Sequence, residues 1–124
     1  MTGSNTGDVN FEKLFASIDA MDTESFLGFI HEDATFRFGS SPAVTGHVAI
    51  KAAVESFFAS FAALKHDLQR LVADGNAVVC EGEVTYTRHN GSAITLPFVN
   101  VFETDDGFIS LYRVYIDIGP LFAE

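Results

Sequence analysis

Five side chains of this sequence have the chemistry and the setting to handle a proton or a ligand: His66, Asp117, Tyr115, Asn100 and His31. His66 opens a long strand-like run. Facing inward it would serve as a general acid or base, because free imidazole titrates near neutrality. Facing outward it is a strand-end histidine half in solvent. Tyr115 and Asp117 stand two apart in the last strand-like run, so they share one face. At a pocket mouth they would form a general base and a proton donor. Away from one, Asp117 would pair with Arg113 and fix the sheet. Asn100 interrupts the apolar run Phe98-Val99-Asn100-Val101-Phe102. A buried amide without a partner costs about 1–3 kcal/mol, so this one must bond to backbone, water or a ligand. His31 reads as the end of a helix, where it either caps the dipole or reaches the pocket mouth.

Other chemistries lack their residues. His31, Glu32 and Asp33 are contiguous, and adjacent helical residues do not converge on one ion, so no metal is expected. There is no phosphate-binding glycine loop and no nucleophile elbow, and Gly75, Gly91 and Gly107 read as turn glycines. No cofactor is expected. His47 and His89 read as surface residues, and Tyr86 with Arg88 as an outward pair.

These groups need a scaffold, and residues 65–118 supply most of it. The runs between Asp74-Gly75-Asn76, His89-Asn90-Gly91 and Asp105-Asp106-Gly107 are rich in Val, Ile, Phe, Thr and Tyr. That pattern predicts a meander of long strands joined by tight turns. Upstream, Phe11, Leu14, Phe15 and Ile18 form the apolar stripe of a first helix, capped by Asp8 or Asn10. Asp22 caps a second helix with the stripe Phe26, Leu27 and Ile30, closed by His31-Glu32-Asp33. Residues 34–38 read as a short strand and 39–46 as a loop. A third helix carries Ile50, Val54, Phe57, Phe58 and Phe61. Residues 1–8 read as a disordered tail, and 9–124 as one α+β domain with its helices on one face of an antiparallel sheet.

The composition narrows the partners. The chain has 124 residues, and 48% are hydrophobic, enough for a core. Its 13 Phe can fill a core or line an oily cavity. A formal charge of -10 repels nucleic acid and anionic lipid. No run approaches the roughly 18 apolar residues of a membrane span, and residues 1–9 do not resemble a secretory signal. The single cysteine, Cys80, reads as a small buried hydrophobe in a reducing, cytoplasmic compartment.

The order of these elements resembles the SnoaL-like branch of the nuclear transport factor 2-like, or ketosteroid isomerase-like, superfamily. The likeness is carried by Phe29-Ile30-His31-Glu32-Asp33-Ala34-Thr35-Phe36, Thr45-Gly46-His47-Val48-Ala49-Ile50, Leu64-Lys65-His66, Asp106-Gly107-Phe108-Ile109 and Arg113-Val114-Tyr115-Ile116-Asp117. It implies a cone-shaped half-barrel in which three N-terminal helices pack on a strongly curved antiparallel sheet. It also implies a deep pocket and a homodimer through the outer sheet face. It directs Tyr112, Val114 and Ile116 to the cavity with Asn100, Phe38 and Phe58, and Arg113, Tyr115 and Asp117 to the other side of the sheet.

The resemblance also removes options. The general-base aspartate of ketosteroid isomerases falls at Phe38, their oxyanion tyrosine at Leu14 and their second carboxyl near Asn100. The last-strand aspartate of limonene epoxide hydrolase-like members falls at Val114, and Glu81-Gly82-Glu83 has no Arg-x-Asp. The expectation is therefore an apolar pocket for a small hydrophobic, polyketide-like or cyclic molecule. It works either by cofactor-independent acid/base catalysis of isomerase, cyclase or hydrolase type, or as a non-catalytic binder or dimeric interaction module.

Overall fold

The computed structural model describes residues 5–6 and 9–123. Within the tail read as disordered, β1 (Asn5–Thr6) pairs with β2 (Val9–Asn10); the remainder of residues 1–8 lies outside the described residues. Helix α1 (Phe11–Asp19) starts where the Asn10 side chain accepts from the Lys13 N–H at 3.1 Å, and it buries the stripe Phe11, Leu14, Phe15 and Ile18. Asp22 likewise caps α2 (Thr23–Leu27), accepting from the Ser25 N–H and hydroxyl.

Helix α2 has only 5 residues, ending at Gly28. His31, Glu32 and Asp33 do not close it; they lie in strand β3 (Ile30–Phe38), which begins four residues earlier than the sequence suggested. Sheet pairing decides this, because Ile30 and Thr35–Phe38 pair with the last strand. His31 is therefore not a helix cap. Its Nδ1 accepts from the Asp33 N–H at 3.1 Å.

The segment read as a loop contains the short strand β4 (Val44–Thr45). Helix α3 (His47–Phe58) follows Gly46, whose φ of 91° favours glycine. His47 is not a free surface residue. Its Nε2 meets the Ile30 carbonyl at 2.7 Å and ties the helix start to β3.

The meander comprises β5 (Ala63–Asp74), β6 (Ala77–Thr87), β7 (Ala93–Asp105) and β8 (Phe108–Tyr115). At Asp106-Gly107 both residues have positive φ, the geometry a two-residue hairpin turn needs to match strand twist. The six-stranded sheet runs β4-β3-β8-β7-β6-β5; β3 and β8 are parallel, and the other neighbours are antiparallel. The sheet curves without closing, and the helices fill its concave side.

Alternation fixes the inner face. On β6 it carries Val78, Cys80, Gly82, Val84 and Tyr86, all buried. Tyr86 therefore faces the core, not outward as expected from its nearness to a turn. Arg88, just past the strand, is half-buried. Its guanidinium donates to the Pro120 and Leu121 carbonyls at 2.9 Å each, holding the short helix α4 (Gly119–Phe122) against the body.

Cys80 is fully buried in this core, and desolvation pushes its thiol from 9.0 up to about 11. Two pKa units leave about 100-fold less thiolate, and burial blocks the reagent as well. An aromatic disulfide reagent at pH 8 should label native protein at least about 100-fold more slowly than denatured protein, read by absorbance.

Candidate functional site

Between the helices and the concave sheet face lies a narrow chamber with about 50 Å³ of room for water-sized spheres, within about 500 Å³ of atom-free space once its open mouth is counted. Its wall is mostly aromatic and aliphatic. Phe57 bridges Phe38 (ring centroids 4.6 Å apart) and Phe61 (4.9 Å), while Tyr112 packs on Phe102 (4.6 Å) and Phe36 (5.3 Å). The polar side chains on the wall belong to His66, Tyr86, Asn100 and Tyr112; among the described residues, no Asp, Glu, Lys or Arg lines it. A ligand seated here would meet an oily surface with a few fixed hydrogen-bonding points, the usual make-up of a small-molecule site.

His66 is the best organised of these groups. Its Nδ1 lies 2.6 Å from Asp19 Oδ1, and its backbone N–H donates to Asp19 Oδ1 and Oδ2 at 3.2 and 3.1 Å. Phe15 and Phe98 flank the ring at 4.9 and 5.2 Å. The side chains of His66 and Asp19 are only 10% and 15% exposed.

Asp19 ends α1, where the helix dipole disfavours a carboxylate, and that helix has no basic residue in its last turn. The His66 donors offset this, with Lys65 Nζ 3.7 Å from Oδ2. A carboxylate on Nδ1 favours the tautomer with its proton there, leaving Nε2 as the basic nitrogen. The pair has the geometry of the histidine–carboxylate half of a triad, and among the described residues no Ser or Cys lies on the chamber wall.

Asn100, on β7 opposite Val114 of β8 and Cys80 of β6, is 2% exposed and lines the chamber. Among the described residues, no protein group donates to its Oδ1, which is itself sealed from the chamber. Tyr112 and Tyr86 are buried, and desolvation pushes both phenols well above their usual range. For Tyr112 the neighbouring Cys80, Tyr86 and Asp19 add to this. Both therefore remain neutral hydroxyls.

The structure brings together His66, Asn100, Tyr112, Val114, Ile116, Phe38 and Phe58. It leaves out three residues proposed from the sequence. Tyr115 is 52% exposed on the outer face of β8. Asp117 is exposed in an outer-face groove beyond the end of β8, where its carboxylate accepts from the Gly119 N–H at 3.1 Å. It neither pairs with Arg113 nor reaches the chamber, because strand alternation turns it away from Val114 and Ile116. His31 lies in β3 and is not on the chamber wall.

Asp19 is not among the residues that the sequence singles out. One signal was available. Asp19 stands four residues after Phe15, so it continues the buried stripe of α1, a position a carboxylate occupies only with a partner.

Residues 11–112 match the model of the SnoaL-like domain, and the chain belongs to that family. Several solved structures share the fold. A protein of unknown function from Burkholderia pseudomallei, described as nuclear transport factor 2-like, has a TM-score of 0.84 at 16% identity, covering 98% of this chain and 96% of that one. A SnoaL-like polyketide cyclase, so described from Jannaschia sp. CCS1, gives 0.77 at 18% identity over 98% and 93%. An epoxide hydrolase of M. tuberculosis gives 0.74 at 21% identity over 90% and 82%. No curated protein sequence matches the chain. Among the described residues, no helix is long and apolar enough to cross a membrane.

Proposed function

We propose that this protein is a cofactor-independent acid/base catalyst for a small hydrophobic cyclic or polyketide-like molecule. His66 is the proton-transfer group, and Asp19 is its positioning residue. The observation that carries the reading is the largely buried Asp19–His66 contact at 2.6 Å, whose histidine lies on the chamber wall with Asp19 behind it. In the step, His66 Nε2 takes a proton from a carbon next to a ligand carbonyl. The C–H bond breaks, an N–H bond forms, and the electron pair moves onto the carbonyl as an enolate. The neutral Tyr112 or Tyr86 hydroxyl can donate to the enolate oxygen. Return of the proton from Nε2 to another carbon of a conjugated enolate completes an isomerisation; attack of the enolate carbon on a second carbonyl of the ligand, whose oxygen then takes the proton from Nε2, completes a cyclisation. That two structural neighbours are described as a polyketide cyclase and an epoxide hydrolase supports such use of the fold.

The test is deuterium exchange at the α-carbon of a panel of cyclic ketones in D₂O, followed by NMR. Enzyme-dependent exchange that disappears in His66→Ala supports the proposal. Equal exchange in both proteins removes it. The alternative is a non-catalytic binder of the same class of molecule. It is favoured by Phe38, an apolar ring on the wall at the position where ketosteroid isomerases carry their base.

The same reading includes a homodimer through the outer sheet face. Val72, Val79 and Tyr115 are exposed there, and Val99 and Val101 are partly exposed beside them. These apolar residues share the face with the exposed charges Glu81, Glu83, Glu103 and Arg113, the mixed make-up of a polar-rimmed self-association surface. Sedimentation at micromolar concentration should give a dimer; a monomer would count against it.

A further inference from the structure

We propose that the ligand site has two compartments: the chamber takes one ring, a groove outside it takes a second, and the Phe38 side chain is the movable partition between them. The inference rests on the chamber being the ligand site, and it adds the size and shape of what that site takes. The chamber has about 50 Å³ of room for water-sized spheres. One water needs roughly 10–15 Å³ on that measure, so the closed chamber holds a few waters or one small ring. Sites for drug-sized molecules are several times larger, about 300–1,000 Å³.

The missing room lies next door. A groove between α3 and the end of β3 with its following loop has about 290 Å³ of the same kind of room. Pro42 and Val44 line one side, and Ala53, Ser56 and Ser60 line the other. Phe36, Phe38, Val54 and Phe57 line both spaces, so these four side chains are the wall between them.

One member of that wall can swing. Val54 is buried, and Phe36 packs on the buried Tyr112. Phe57 is wedged among Phe38, Phe58, Phe61 and Tyr86, with ring centroids 4.6–6.5 Å away. Phe38 ends β3, is partly exposed, and has Phe57 as its one aromatic neighbour among the described residues. Turning its ring gives up a single aromatic contact, which a ligand ring can replace. The turn joins chamber and groove into one space.

The joined site defines a ligand class. Among the described residues, no Asp, Glu, Lys or Arg lines either compartment, so an anionic group would lose its hydration without gaining a partner. The polar side chains of the groove are the hydroxyls of Ser41, Ser56 and Ser60. The ligand is therefore an uncharged molecule with two ring-sized parts in line. Its reacting ring lies beside His66, and its far part reaches the seryl hydroxyls.

Two ketones test this by calorimetry: acetophenone, with one ring, and 4-acetylbiphenyl, with two in line. The native protein should bind 4-acetylbiphenyl about tenfold more tightly or better, the gain from burying a second ring. Ser56→Trp, which fills the groove from the exposed side of α3, should bring that ratio close to one. Phe38→Ala should speed association of 4-acetylbiphenyl severalfold in stopped-flow tyrosine fluorescence. In the native complex, NMR should show magnetisation transfer from the far ring to Pro42 and Ser56 protons, a readout that needs no variant to fold. Equal affinity for the two ketones, a ratio that survives in Ser56→Trp, or far-ring contacts confined to chamber residues overturns the two-compartment site and leaves the chamber as a one-ring site. Unchanged association in Phe38→Ala overturns Phe38 as the partition. Failure of both ketones to bind overturns the chamber as a ligand site as well.

Discussion

His66→Ala should reduce α-proton exchange by roughly 10²- to 10⁴-fold, the usual contribution of a positioned general base. The substitution trims a side chain that is 10% exposed and leaves the apolar walls in place, so probe binding should change far less than turnover. Asp19 gives a sharper test. In Asp19→Asn the side chain keeps its size, but it can offer an N–H to Nδ1 in place of a carboxylate oxygen. That favours the tautomer with its proton on Nε2, which cannot act as a base. Turnover should then fall by about 10- to 100-fold, the typical cost of losing the group that orients a histidine. A purely structural Asp19 would change stability and leave kcat of the folded protein unchanged. A positioning Asp19 lowers kcat with little change in KM, because it sets which ring nitrogen carries the proton. Added imidazole should partly restore exchange to His66→Ala and not to Asp19→Asn, whose own imidazole still occupies the space. Loss of probe binding in His66→Ala to the same degree as loss of exchange would assign His66 to ligand binding and remove it as the base.

The sequence reveals one half of this dyad and not the other, for a physical reason. His66 and Asn100 are visible because each is a polar group set in a strand run that must be largely buried, so each demands a partner. Asp19 looks like an ordinary helix-end carboxylate in a short link, and its partner is 47 residues away. Only tertiary packing brings the end of α1 against the start of β5. The inward set Tyr112, Val114 and Ile116 follows from period-two alternation once one member is placed. The same rule turns Asp117 and Tyr115 outward, so their chemistry is lost to the chamber. His31 was misread because Phe26, Leu27 and Ile30 keep helical spacing past Gly28. The chain there turns into β3, whose backbone groups are satisfied by β8, and that pairing outweighs local periodicity. The meander was easier to read because each turn carries its own local signal, such as Asp106-Gly107.

Gly82→Ala should destabilise the fold by roughly 3 kcal/mol, near the upper end of the usual cost of overpacking, and lower the melting temperature by about 10 °C. Gly82 sits on β6 opposite Leu68, at the point where the β5–β6 register shifts between Leu68 and Arg70. Gln69 is the extra residue of that bulge. A bulge bends its strand and sharpens its twist, and here it lays β5 across the inner face of β6. A Cβ built on Gly82 collides with the Asp67 carbonyl oxygen, and it would also lie 3.1 Å from Asp67 C and 3.2 Å from Leu68 Cα. All three are backbone atoms, so no rotamer change relieves the clash; β5 itself has to move.

That movement reaches the site, because His66 immediately precedes the crowded Asp67–Leu68 segment and takes its position from the same bend. Displacing β5 outward lengthens the 2.6 Å contact between His66 and Asp19 and widens the chamber between β5 and α1. Gly82→Ala should therefore lose stability and proton-transfer activity together, although the residue does not line the chamber. Gly75→Ala is the control. Gly75 has a φ of 60° and nothing within 4 Å of a built Cβ, so alanine there bears only the left-handed backbone penalty of about 1–2 kcal/mol and leaves the dyad in place. If thermal melts show Gly82→Ala no worse than Gly75→Ala, the close approach of β5 to β6 is not what bends this sheet, and the position of His66 has to be explained by α1 alone.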